Sequence, residues 1–224
     1  MPMKKTGIPD DPDVTEWDGG FSWVSHPEEK IARASHALRD GTDVWVVDPL
    51  DFMGLDDRLA EAGDIAGTVV LFNQHTREAE VIARRHGVSV HVPAWMEGID
   101  DRIDVPVERF GDRLGSTDYR AIPLSKSRLW GECALFDGET LVVPEAVGTA
   151  RHFRGGDERL GIHPFRRVVP PRRQLGGLDP DRVLTGHGTG VFEGGSEALA
   201  DALAGARRRA PAAYLRSLRM VLPG

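Results

Sequence analysis

The chain has 224 residues, and its 35 acidic side chains outnumber its 28 basic ones, which gives a formal charge of −7 at pH 7. This excess of acid argues against a protein that binds nucleic-acid backbones, because such a protein needs a net basic face. A single cysteine, Cys133, excludes an intramolecular disulfide and a cysteine-rich metal cluster.

The N-terminal segment carries no targeting signal that the sequence reveals. It lacks the apolar core of a signal peptide, and no apolar run in the chain approaches the ~20 residues of a membrane span. We therefore expect a cytoplasmic protein with no membrane partner. Residues 1–19 show little periodicity and are predicted to be a loose lead-in to one domain that covers residues 20–224.

Residues 34–39 have two competing predictions. Ile31, Ala34 and Leu38 recur at helical spacing, which favours a helix. However, Asp40-Gly41 is a turn signal that leads into the apolar run 44–47, which favours a strand hairpin. Alternation at residues 20–24 also predicts a strand just upstream.

A strand–helix–strand unit follows. Residues 54–62 predict a short helix, and residues 68–72 form an unbroken apolar run typical of a strand covered on both faces. Thr76 is predicted to cap a helix over residues 77–86, and a further strand is expected at 88–92. Ligands of such units bind past the carboxyl end of the strand, here near residues 73–78.

The middle of the chain is richer in strands than either end. Strands are predicted at 103–107, 119–124, 129–136, 140–143 and 182–184, and a long loop at 144–173. Helices are predicted at 195–209 and from residue 211. This order favours an α/β (α+β) fold in which two sheets pack together and helices cover them outside.

Polar residues follow three of these strands, and together they resemble a known family. Residues 73–78 follow a buried strand, Glu145 follows the run 140–143, and His187 lies in a Thr-Gly-His-Gly turn after strand 182–184. Their order, with the Val-Val-Asp-Pro segment upstream, is similar to the metallo-β-lactamase superfamily over residues 22–204. The resemblance implies a four-layer αββα sandwich with a one- or two-zinc site, and it places a strand at 34–39.

The metal motif of that family is largely replaced. Its His-x-His-x-Asp-His signature corresponds to residues 73–78, where Asn73 and Arg77 replace the first histidine and the aspartate and Glu78 replaces the last histidine. His75 retains the second histidine. The resemblance aligns Lys126 with a further histidine ligand, Glu145 with the bridging aspartate and His187 with the terminal histidine.

Two hypotheses follow from these replacements. In the first, Arg77 and Lys126 replace the charge of the lost metals and neutralise Glu78 and Glu145, because unpaired buried carboxylates are costly. This hypothesis expects no cofactor and a non-catalytic or small-molecule-binding protein whose partner is a small anionic molecule.

The second hypothesis is a divergent hydrolase of an ester, thioester or phosphoester. It uses one zinc, iron or manganese ion, or none, and His75 and His187 act as acid/base groups. The metal ligands would be His75, Glu78, Glu145 and His187. Asn73 would line the site, and His152 and His163 lie in the long loop that is expected to cover it.

Overall fold

A mixed sheet is built by the first half of the chain. The computed structural model describes residues 2–221, with side chains through residue 218. The strands of this sheet lie in chain order, the first four antiparallel and the rest parallel. They are β1 (Asp13–Trp17), β2 (Gly20–Val24), β3 (Ala34–Asp40), β4 (Asp43–Val47), β5 (Asp64–Val69), β6 (Val90–Pro93) and β7 (Val107–Phe110).

A second sheet contains β8 (Arg120–Ser127), β9 (Trp130–Phe136), β10 (Thr140–Val143) and β13 (Arg182–Thr185), from the middle and the later part of the chain. Its spatial order is β13-β10-β9-β8. β10 and β13 run parallel, so the residues that follow them lie at the same edge of the sheet. A small ribbon joins β11 (Val147–Gly148) to β12 (Gly161–Ile162).

Helices cover the outer faces of both sheets. They are α1 (Leu55–Ala62), α2 (Ala79–His86), α3 (Arg172–Leu175), α4 (Gly195–Gly205) and α5 (Ala210–Val221), with single 3-10 turns at Asp100–Arg102 and Pro164–Arg166. Among the described residues, no helix is both long and apolar enough to cross a bilayer.

Side-chain alternation along the strands sorts the core into layers. In β4, Trp45 and Val47 face the second sheet, where they share a cluster with Leu135 of β9. Val44 and Val46 face the other way, onto helices α1 and α2. Helix α4 packs on the far side of the second sheet, against β10 and β13. The layers are therefore helix, sheet, sheet and helix, which confirms the predicted αββα sandwich.

The predicted lead-in is wrong for residues 13–17. They form the edge strand β1, which pairs antiparallel with β2, and Val14 lies opposite Trp23. Val14 packs on the core beneath α1 and Trp17 on the core between the sheets. Pairing with β2 stabilises this strand although its local sequence pattern is weak, so the first sheet begins before residue 20.

Other boundaries also moved. β7 starts at Val107, not 103, because Pro106 has no N–H to donate to a sheet. Helix α2 starts at Ala79, not 77, and Thr76 does not cap it, because Arg77 has φ +42°, outside the helical region. The predicted loop 144–173 contains the β11–β12 ribbon and the start of α3. Residues 34–39 form a strand, as the resemblance implied.

Candidate metal centre

The candidate site lies where three strands end, at the junction of the two sheets. After β5 the chain crosses to the second sheet, since the Leu71 carbonyl accepts from the Cys133 N–H at 2.8 Å and the Asn73 N–H donates to the Gly131 carbonyl at 2.9 Å. This crossing carries His75 to the edge of the second sheet. Glu145 and His187 lie there already, just past β10 and β13.

His75, Glu145 and His187 form a compact, buried triad of potential ligands. Glu145 Oε2 lies 3.1 Å from His75 Nε2 and 3.1 Å from His187 Nε2, and one ligand atom from each residue lies within 4.8 Å of the others. As whole residues, His75, Glu145 and His187 are only 9, 8 and 7 % exposed. Neither imidazole is aligned to donate, so Glu145 Oε2 accepts no hydrogen bond. Three electron-rich atoms thus face one another without an intervening donor.

Each member of the triad is oriented by a partner on its other side. His75 Nδ1 lies 3.2 Å from Asp48 Oδ2, and His187 Nδ1 donates to the Ile31 carbonyl at 2.8 Å. Because a carbonyl and a carboxylate accept, the hydrogen of each ring sits on Nδ1 and Nε2 faces the centre.

The remaining oxygen of Glu145 faces a third histidine. His163 Nε2 lies 3.2 Å from Glu145 Oε1, and His163 Nδ1 accepts a hydrogen bond from the Phe165 N–H at 3.3 Å. Since Nδ1 accepts, Nε2 carries the hydrogen and faces the carboxylate. Oε2 is then the oxygen left for the centre of the triad.

The electrostatics show that the centre of the triad calls for positive charge. Burial alone raises the pKa of the Glu145 carboxyl, and only the positive charge and N–H groups of protonated His187 and His75 rings outweigh it and hold that pKa well below its usual range. Burial lowers the pKa of His163 to about 4 and of His152 to about 3. At neutral pH these two flanking histidines are therefore uncharged and bring no positive charge to the centre.

A second buried carboxylate holds the backbone of Glu145. Glu132 Oε1 accepts from the N–H groups of Glu145, at 3.1 Å, and Ala146. Glu132 Oε2 accepts from the indole of Trp130 at 2.8 Å and from Arg166 at 3.2 Å. Both oxygens of this fully buried acid are thus satisfied, and the main chain at Glu145 is fixed.

Arg77 does not occupy the centre of the triad, contrary to the first hypothesis. Its guanidinium lies on the Asp48 side of His75, with Nη2 3.4 Å from Nδ1, whereas Glu145 lies on the Nε2 side. It donates to the backbone carbonyls of Ala34, Asp48 (2.8 Å) and Gly186 (2.9 Å). Among residues 2–218, no carboxylate lies within ion-pair distance of it. Arg77 therefore ties β3 and β4 to the turn after β13.

Lys126 and Glu78 also lie elsewhere. Lys126 is exposed, and its ammonium lies over the Trp95 ring, 5.8 Å from the ring centre. It lines an outer cavity of about 300 Å³ that Asn73 also lines. Glu78 precedes α2, and its Oε2 accepts from the Asp51 N–H. Neither the predicted cation Lys126 nor the predicted ligand Glu78 reaches the triad.

The other predicted site residues lie beside the triad or face away from it. His152 packs against His187, with ring centres 5.9 Å apart, and its Nδ1 is buried without a partner. His163 contacts Glu145 directly. Asn73 is buried, but its amide donates to the Arg128 carbonyl at 2.7 Å.

Two site residues were missed by sequence reasoning. Asp48 follows the apolar run 44–47, so its position after a strand was a usable signal. Glu132 is an acid inside the apolar strand β9, in register with Ala134 and Phe136, which are both buried. A charged residue on a buried face needs a partner, and that requirement was the signal.

The donor set fits a single metal ion. Two imidazoles and one carboxylate with a free coordination position is a donor set of catalytic zinc sites, and ligand atoms about 2.1 Å from a tetrahedral ion lie roughly 3.4 Å apart. The 3.1 Å separations in the triad are close to that spacing. Metal-binding histidines usually donate their other N–H to a carboxylate or a carbonyl, as His75 and His187 do here. Two-metal chemistry has no comparable second donor set among the described residues.

Comparison with known proteins gives no match by sequence and clear matches by structure. No family model matches the chain, and no curated protein matches it. The solved structure of DIM-1 metallo-β-lactamase exposed to ceftazidime has a TM-score of 0.57 at 11 % identity and covers 92 % of this chain and 99 % of its own.

Two further solved structures agree. TMB-1 has a TM-score of 0.59 at 14 % identity, covering 90 % of this chain and 99 % of its own. VMB-1 at pH 5.5 has a TM-score of 0.56 at 11 % identity, covering 93 % and 100 %. Since the likeness extends over nearly the whole length of each structure, this chain has the metallo-β-lactamase fold.

Proposed function

We propose that His75, Glu145 and His187 bind one divalent metal ion, and that the protein is a divergent single-metal hydrolase. The observation that carries the proposal is Glu145 Oε2, a buried carboxylate oxygen that faces two imidazole nitrogens at 3.1 Å and accepts no hydrogen bond. Leaving such an oxygen without a partner is costly, and a cation between the three atoms would remove that cost. Zinc suits this mixture of nitrogen and oxygen ligands.

The expected reaction is hydrolysis of an ester, thioester or phosphoester. Zinc held by three protein ligands lowers the pKa of a bound water to about 7. The residues of the chain supply the fixed geometry: Asp48 and Ile31 orient the two imidazoles, His163 faces Glu145 Oε1, and Glu132 holds the Glu145 backbone.

A second candidate function is a non-catalytic or small-molecule-binding protein with a metal-free network of charges. The burial of the triad favours it, since these side chains are almost completely covered. In that case the positive charge of protons on His75 and His187 would balance the negative charge of Glu145. Arg77 would then have only the structural role of joining the strands.

Metal content and turnover separate the two candidates. Protein dialysed after loading with zinc is analysed for metal, and thermal unfolding is followed with and without zinc. We expect about one equivalent in the wild type, and stabilisation of about 2.7 kcal/mol at a zinc concentration of 100 Kd. Glu145→Gln should bind zinc at least 100-fold more weakly, whereas Glu61→Gln, which removes an exposed acid from α1, should bind normally.

Turnover is then measured on nitrophenyl ester, thioester and phosphoester probes. The proposal expects activity that requires zinc and that His187→Ala abolishes. Failure of the wild type to retain zinc would contradict the metal site. That failure is the outcome that would favour the second candidate, whereas stoichiometric zinc without turnover of any probe class would contradict the hydrolase and leave the metal site standing.

A further inference from the structure

A second cavity adjoins the triad on the side of the His187 turn. It has a volume of about 440 Å³, which is in the range of small-molecule sites. Arg154, Arg159, Thr149 and the turn residues Gly188 and Thr189 line it, together with the apolar side chains of Ala32, Ala150, Val191 and Phe192. The lining holds two cations and no acid.

The cations of this cavity have no carboxylate partner. Among residues 2–218, no acidic side chain lies within ion-pair distance of Arg154 or Arg159. Arg154 Nε is buried and has no acceptor. Arg159 donates only to the Glu193 carbonyl. By contrast, Arg167 and Arg209 both pair with Glu158 nearby.

This arrangement is unusual for so acidic a chain. With 35 acids against 28 bases, carboxylates are available to pair with arginines. A guanidinium presents a planar fork of donors that matches carboxylate and phosphate oxygens, and leaving a buried donor without an acceptor is costly. The unpaired Nε of Arg154, with the exposed guanidinium of Arg159 at the same cavity, therefore indicates an oxyanion as the missing acceptor.

The cavity is coupled to the triad through the backbone. The His187 carbonyl accepts from the N–H groups of Thr149 at 2.9 Å and Ala150 at 3.1 Å. Gly188 has φ +90°, and a Cβ there would lie 2.3 Å from Thr149 Oγ1. Only glycine permits this contact, so the cavity wall and the His187 ligand are parts of one turn.

We infer that this cavity, here called the Arg154 cavity, binds a small organic oxyanion. The ligand carries a carboxylate or phosphate group that Arg154 and Arg159 bind, and an apolar portion that lies on Val191 and Phe192. In the proposed hydrolase this group would be the anionic end of the substrate. The binding site itself rests on the contacts of the cavity and does not require the metal.

Binding is tested on metal-stripped full-length protein by calorimetric titration with two probe pairs. Phenyl phosphate and inorganic phosphate form one pair, and benzoate and acetate form the other, so that phosphate and carboxylate ligands are distinguished. We expect one aromatic member to bind at least 10-fold more tightly than its small counterpart. Arg154→Gln should weaken that probe at least 10-fold, and Arg154→Lys should weaken it less, because lysine retains the charge without the fork.

The control is Arg173→Gln, which removes one exposed positive charge from α3. Thermal unfolding of each variant reports its folding, and Arg154→Gln should stay folded because the side chain makes no ion pair. Arg159→Gln provides a second, independent loss of binding. Unchanged binding in Arg154→Gln and Arg159→Gln, or an equal loss in Arg173→Gln, would overturn the inference. Because metal is absent from these titrations, their outcome is independent of the zinc and turnover experiments.

Discussion

The regions around Arg77 and Lys126 use positive charge in opposite ways. The Arg77 guanidinium is enclosed between the two sheets and donates to three backbone carbonyls that come from β3, from the end of β4 and from the turn after β13. The Lys126 ammonium is exposed near the end of β8 and lies over one aromatic ring. One cation joins backbone carbonyls of different strands, and the other is a solvated surface group.

The difference teaches that the surroundings of a cation decide its role. A guanidinium has five donors in a rigid fork, so it can donate to several carbonyls from different strands at once. An exposed ammonium gains little from a single ring. The region around Arg77, here called the inner region, should therefore tolerate few substitutions, and the region around Lys126, the outer region, should tolerate many. Substitutions at four positions test this contrast.

The largest effect is expected for Arg77→Met. Three hydrogen bonds from a charged donor would be lost, and we expect the free energy of unfolding to fall by roughly 3–5 kcal/mol. Arg77→Lys should lose less, since an ammonium can reach only part of the set. Urea unfolding at constant m-value measures both. A loss below 1 kcal/mol for Arg77→Met would show that water replaces the guanidinium and would break the contrast.

His36 should make the inner region sensitive to acid. It is fully buried on β3, and Nδ1 lies 2.8 Å from Ser22 Oγ and Nε2 3.2 Å from the Thr185 carbonyl. Its pKa is lowered from 6.5 to about 4, mainly by burial. The charge of Asp48 acts to raise this pKa, and the charge of Arg77 acts to lower it. Between pH 6.5 and 4 the unfolded chain binds the proton more tightly, so stability is complete above pH 6.5 and falls as the pH drops.

The size of this effect follows from the shift. We expect a loss of roughly 2–3 kcal/mol between pH 7 and pH 4.5 that is attributable to His36. His36→Gln removes the titrating group, so its unfolding free energy should fall less over the same range. Unfolding curves of the two proteins at matched pH values give the difference. Parallel pH profiles would contradict the assignment, because the other groups that titrate are unchanged.

Asp48→Asn tests the orientation of His75. Asparagine tolerates the φ of +44° at this position, but its amide cannot accept from both the His75 ring and the Leu71 N–H as the carboxylate does. We expect zinc affinity to fall 10–100-fold, or about 1.4–2.7 kcal/mol, with little change in the fold. A zinc titration by calorimetry measures it, and Asp57→Asn on the exposed face of α1 is the control. Equal affinity in wild type and Asp48→Asn would mean that Asp48 does not position a ligand.

The layers of the fold, and the strand ends at which the candidate ligands lie, were predictable from strand patterns together with the family resemblance. Apolar runs such as 44–47 and 140–143 became buried strands, and His75, Glu145 and His187 lie at strand ends, where the topology brings them together. Burial and strand direction determine these features, and both are encoded in sequence periodicity.

The roles of the cations were not predictable in the same way. The direction of Arg77 depends on its φ of +42° and on a carbonyl 109 residues away, neither of which a motif alignment contains. Lys126 was placed by the register of β8 with β9, in which it lies opposite Gly131 at the outer end of the hairpin. Position in a family motif thus did not predict what these two cations contact.

The smallest effect is expected for Lys126→Met, which completes the contrast with Arg77→Met. Both substitutions remove one positive charge and leave a side chain of similar length. Because the ammonium of Lys126 is exposed and has only the Trp95 ring beside it, we expect a change within about 0.5 kcal/mol in unfolding free energy. Zinc affinity should also stay within twofold of the wild type, since Lys126 does not reach the triad. If Lys126→Met instead altered zinc binding as strongly as Asp48→Asn, its charge would act on the site across the outer cavity that Asn73 also lines. In that case the backbone contacts of Arg77 would no longer be enough to explain why the two regions differ.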